Sequence, residues 1–135
     1  MTDTQFGPIE AAVRRSMDVF GDLALEIKKV YPVNIKMAEV HRKAAIQMRE
    51  IADELENADL GKTVSAPMSD SFMGYEGVLR LLNEHLLGPI GELRKQSGDE
   101  AGVKRRAVTG LQAIAEAIEK DAVKLEENAK KSNYY

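Results

Sequence analysis

The apolar residues of this chain recur at intervals of three and four along nearly its whole length and almost nowhere alternate. A repeat near 3.6 gathers them on one side of a helix, whereas a half-buried strand would need a period of two. That spacing predicts an all-α fold, an antiparallel bundle of four or five helices joined by short connections. At 135 residues the chain is expected to form one domain, 1–135, large enough to bury a core. Its ends, near 1–6 and 130–135, lack the pattern and are expected to fray.

Gly7-Pro8 opens the first segment, because proline's missing N–H costs nothing at the first helical position. Ile9, Val13, Met17, Phe20, Ala24, Ile27 and Val30 then make one stripe, and Pro32 forbids continuation, predicting a helix over 8–31. Met37, Val40, Ala44, Met48, Ile51 and Leu55 make the stripe of a second helix over 35–58. It is expected to close near Ala58 to Gly61 on a left-handed glycine. Gly61 to Ser69 reads as a loop.

Ser69 or Asp70 can cap a third helix over 70–87, whose stripe is Val78, Leu82, Leu86, Ile90 and Leu93. Gly88-Pro89 predicts a kink there, or a break with a restart over 89–96. Asp99 is placed to cap the last helix, 100–130. Its seam of Val108, Leu111, Ala115, Ile118, Ala122, Leu125 and Ala129 alternates steps of three and four.

Several chemistries are excluded at this level. With no cysteine there is no disulfide, thiolate nucleophile or Cys-ligated metal. A di-iron bundle needs Glu-x-x-His on two helices, but Ala38 and Leu82 stand three residues before His41 and His85. Both histidines are therefore read as solvated or structurally bonded. Gly61-Lys62-Thr63 lacks the earlier glycine and the strand of a phosphate-binding loop, position 56 being Glu. No catalytic, cofactor-binding or metal-binding residue is expected, and no cofactor.

The balance of 19 basic against 22 acidic residues leaves a net charge of −3. Lys104-Arg105-Arg106 lies among acidic neighbours, so a solvated face is expected rather than nucleic-acid binding. No uncharged run approaches the roughly 18–20 residues needed to span a bilayer, and Asp3, Glu10 and Asp18 interrupt any secretory h-region. A soluble, cytoplasmic protein without membrane insertion is the expectation.

The third helix holds more apolar residues than one stripe requires. Leu79, Leu81, Leu82, Leu86 and Leu87 cover more than half of its circumference, so it must be central in the bundle or covered by a second chain. Met17, Met37 and Met48 fall on core stripes, whereas Met68 and Met73 lie with Phe72 and Tyr75 near the start of this helix. Met68, Phe72, Met73, Tyr75, Leu79 and Leu87 are the candidate interface for a helical protein partner or for self-association.

Val33-Asn34-Ile35, Val40, Ala44, Met48, Ile51-Ala52, Leu55 and Ala58, then a polar loop, Phe72-Met73-Gly74, an apolar helix and an alanine-rich final helix, resemble the small helical substrates of the actinobacterial type VII secretion system. The resemblance covers about residues 33–130. It implies a helical hairpin or bundle that pairs with a helical partner and leaves the cell without a Sec signal. Phe72-Met73-Gly74 stands where the family has Trp-x-Gly, and no Tyr is followed four residues later by Asp or Glu. The helix over 8–31 is additional to the simplest hairpin. The expected function is a non-enzymatic interaction module. The alternative is a small ligand-responsive regulatory or immunity bundle, its pocket opened between helices by Gly74, Gly77, Gly88 and Gly91.

Overall fold

A computed structural model describes residues 3–68 and 76–131. In chain order they form β1 (Asp3–Phe6), α1 (Pro8–Val30), α2 (Asn34–Glu56), β2 (Val64–Pro67), α3 (Glu76–Leu82), a π-helical turn (Asn83–Leu87), α4 (Gly88–Gln96) and α5 (Glu100–Ala129). Helix dominates, as the apolar period requires. Ion pairs fix the directions: Arg15 with Glu54 and Lys43 with Glu26 set α1 antiparallel to α2, and Arg42 with Glu126 and Arg49 with Glu119 set α2 antiparallel to α5.

The helix ends lie within two residues of expectation wherever a backbone rule acts. Pro8 occupies the first turn of α1, and the Ala11 N–H reaches back to the Gly7 carbonyl at 2.9 Å. Before Pro32, Tyr31 is extended at ψ 136°, which ends α1. The cap of α2 differs from expectation. Asn57 closes the helix with its side-chain amide on the Asp53 carbonyl at 2.9 Å, and no described glycine is left-handed. Asp99 does stand at the N-cap of α5, but through its main-chain oxygen, which accepts from Val103; its side chain makes no cap bond. The expected caps Ser69 and Asp70 lie outside the described residues.

Two corrections concern strand. Residues 3–6, expected to fray, pair antiparallel with Val64–Pro67, expected to be loop, in the register Thr4 with Ala66 and Phe6 with Val64. The fold is thus mostly helical with a two-stranded ribbon. Four-residue strands are too short to show a period, and a ribbon this small needs a helix beneath it. Here Ala66 is buried, and the Arg14 guanidinium of α1 lies 4.3 Å over the Phe6 ring.

At Gly88-Pro89 the α-helix resumes: a π turn precedes α4, Leu87 and Gly88 are both right-handed helical, and Pro89 stands in the first turn of α4. The reason is visible in the stripe. Val78, Leu82, Leu86 and Ile90 are all buried, yet they are spaced four apart, and in an α-helix each step of four overshoots a full turn by about 40°. One wide turn absorbs that drift. Pro89 makes the widening cheap, because it has no N–H to offer the His85 carbonyl four residues back. The Gly88 N–H reaches the Asn83 carbonyl, five residues back.

The core collects Phe20 and Leu23 of α1, Met48, Ile51 and Leu55 of α2, Leu82 and Leu86 of the third rod, and Leu111, Ile114 and Ile118 of α5. Alanines 44, 45 and 52 of α2 and 107 and 115 of α5, all nearly inaccessible, are small enough to let the helices approach closely. Buried positions of α1 include Ala12 and Ser16, so its buried face is turned from the expected stripe, and Val13, Met17 and Ile27 are only partly covered. Ser16, with no exposed surface, satisfies its hydroxyl on the Val13 carbonyl at 2.7 Å.

Candidate functional site

Of the expected interface residues, Met68 is 55% exposed, Leu79 43% and Leu87 40%. Phe72, Met73 and Tyr75 lie outside the described residues. Leu79 and Leu87 are eight apart, but the extra residue of the π turn makes that interval equivalent to seven in an α-helix, two full turns. Both therefore stand on the outer side of the rod, while Val78, Leu82 and Leu86 point inward. Leu81 is partly buried against the core. The surplus of leucine in the sequence thus divides into a buried stripe and two exposed side chains. Met68, at the end of β2, takes a hydrogen bond on its sulfur from the Thr4 hydroxyl at 3.2 Å.

A second surface escaped the sequence reading. Arg42 grips Glu126 with two bonds, Nε donating to Oε2 at 2.8 Å and Nη2 to Oε1 at 2.6 Å, and Arg49 pairs with Glu119 two turns away. Between the two pairs stand Ile46 of α2 and Val123 of α5, 58% and 43% exposed. The spacing is the same on both helices, a step of four and a step of three: Arg42, Ile46, Arg49 on one and Glu119, Val123, Glu126 on the other. The signal was present as i, i+4, i+7 positions outside the core stripes, but pairing residues 84 apart needed the fold. The hydrogen bond from Arg42, then its charge, hold the Glu126 carboxyl below the usual glutamate range, and Glu126 in turn raises Arg42.

Neither histidine gathers a ligand set. His41 is buried, and its Nδ1–H donates to the Met37 carbonyl at 2.8 Å, a structural bond within one turn of α2. Among the described residues no group of three His, Cys, Asp or Glu side chains could hold a metal ion, and no helix is long and apolar enough to cross a membrane. A cleft of about 450 Å³ opens between the end of α2 and the start of α5, lined by Glu56, Leu60, Lys104, Arg105 and Val108. Lys104 spans its edge, donating to the Ala58 carbonyl at 2.9 Å, so this member of the basic cluster satisfies a helix end. Gly88 and Gly91, expected to open a pocket, do not line this cleft. No protein-family model, curated protein or solved structure matches the chain.

Proposed function

We propose that the chain is a non-enzymatic helical interaction module whose docking face is the outer side of the α3–α4 rod. The observation that carries this reading is the pair Leu79 and Leu87, exposed two turns apart on one side of a helix whose buried stripe is complete without them. Two leucines in that register are how a helix presents anchors to a second helix. Met68 adds an adaptable apolar side chain near the ribbon.

In its most specific form the module is a type VII secretion-associated protein that pairs with a helical partner in the cytoplasm and is exported without a Sec signal. That form draws on the resemblance of residues 33–130. Co-expression with helical proteins encoded beside it, followed by size-exclusion chromatography with light scattering, tests the module. A complex lost in Leu79→Glu/Leu87→Glu, with the circular dichroism spectrum unchanged, is the expected result; a complex indifferent to both changes overturns the docking face. Presence in the culture medium only when the secretion ATPase is intact tests the export form.

A second reading, a ligand-responsive regulatory bundle, draws on the cleft beside Lys104 and Arg105, whose basic side chains and apolar floor of Leu60 and Val108 suit a small amphipathic anion. A rise in melting temperature with such an anion, lost in Arg105→Ala, is its test.

A further inference from the structure

The outer face of α2 and α5 carries two matched ion pairs and two exposed apolar side chains. Arg42, Ile46 and Arg49 run along α2, and beside them, in the opposite direction, Glu126, Val123 and Glu119 run along α5. Each arginine is level with a glutamate, and Ile46 and Val123 stand between the pairs, one residue out of level with each other. Ile46 and Val123 are exposed and contribute nothing to the core.

Consider a second copy laid on this face. A two-fold axis parallel to the helices places α2 of one copy over α5 of the other without shifting residues along the axis. Arg42 then faces Glu126 of the second copy, Arg49 faces Glu119, and Ile46 meets Val123. The ion pairs already present become squares of alternating charge around a small apolar centre. A two-fold axis across the helices would instead set arginine over arginine at both ends, which is repulsive. One symmetric arrangement is favoured and the other opposed by the same four charges.

We propose that this chain self-associates as a two-fold symmetric dimer through the α2–α5 face, with Ile46 and Val123 at its centre and the Arg42–Glu126 and Arg49–Glu119 pairs shared between copies. The apolar centre is only two side chains per copy, so charge carries much of the selection and the association weakens with salt. This surface is separate from Leu79 and Leu87, and the two can be disabled one at a time.

Sedimentation equilibrium at low salt, with protein up to about 1 mM, tests the dimer. The unmodified protein should dimerise, and 0.5 M salt should weaken it severalfold. Ile46→Lys should weaken it at least tenfold, while Leu79→Glu/Leu87→Glu should leave it unchanged. The fourfold exchange Arg42→Glu, Arg49→Glu, Glu119→Arg, Glu126→Arg preserves every pair within a chain and within its own dimer. It should therefore dimerise with itself as tightly as the unmodified protein does, whereas Arg42→Glu/Arg49→Glu, which leaves four like charges on the face, should remain monomeric. A monomer throughout the concentration range, or Arg42→Glu/Arg49→Glu dimerising as readily as the unmodified protein, would overturn the proposal. If the fourfold variant does not fold, Ile46→Lys decides alone: undiminished association removes this face.

Discussion

Gly110 of α5 lies against the main-chain carbonyl of His85 in the π turn, so closely that a Cβ built on Gly110 would stand 3.0 Å from the His85 carbonyl carbon and nearer still to its oxygen. The relationship joins two features that look unrelated in the sequence. Pro89 withholds the N–H that would normally engage His85, and the carbonyl is turned toward a position of α5 where no side chain stands in the way. Glycine at that point is a matter of close approach, since its backbone is ordinary helix.

Gly110→Ala should therefore destabilise the fold by about 1–3 kcal/mol, the usual range for overpacking against an unyielding group. The opposing gain in helix propensity is at most about 1 kcal/mol. Gly91→Ala on α4, where an added Cβ meets nothing within 4 Å, should stabilise by roughly 0.5–1 kcal/mol. Urea denaturation of both variants checks the contrast; a Gly110→Ala chain as stable as the unmodified protein or more so would mean the rod does not press on α5 at Gly110.

The seam of α5 should behave as core. Leu111 and Ile118 are 0% and 2% exposed, so Leu111→Ala or Ile118→Ala should each cost about 2–5 kcal/mol. An unchanged melting temperature for either would contradict the packing of α5 on α2.

Arg106 is half-buried on α5, and its Nη1 is shielded from solvent without a hydrogen-bond partner among the described residues, close beside Gly110. A buried donor left unpaired costs about 1–3 kcal/mol. Arg106→Met keeps the aliphatic stem and removes that donor, and it should hold or raise the melting temperature; a clear fall would show that the guanidinium has a stabilising role.

Glu126 should titrate below the ordinary glutamate value of 4.5, because the Arg42 hydrogen bond and charge favour its ionised form. A depressed carboxylate pKa adds stability that is full above the unfolded value and fades as pH falls through the folded one. The pair's contribution is thus intact at neutral pH and lost on acidification below about 4.5. It is small, since both groups face solvent. Carboxyl NMR titration of the unmodified protein and of Arg42→Gln checks this: the midpoint should move up toward 4.5 in the variant.

Repetition at three and four residues determined that the chain is helical and where its long helices lie, because burying such a stripe requires one helix side for each segment. Pro8 and Pro32 determined where α1 begins and ends, since a missing N–H and a fixed φ act on immediate neighbours. Leu111, Ile118, Met48 and Leu82 were recognisable as core on the same local grounds.

Pairings between distant segments were decided by the tertiary structure. Nothing in Asp3–Phe6 or Val64–Pro67 alternates long enough to announce a strand; they pair because α1 brings their backbones together over a surface that can bury Ala66. The excess of leucine on the third rod could be read as centrality or as an interface, and packing against α5 divided it between a buried stripe and two exposed side chains. The π turn arises because a stripe spaced at four must stay against one neighbour, a requirement that exists only once that neighbour is present. Arg42 and Glu126, or Gly110 and His85, acquire their relationship for the same reason: local rules act through bonds and single turns, whereas close approach between helices depends on how every other side chain has filled the space between them.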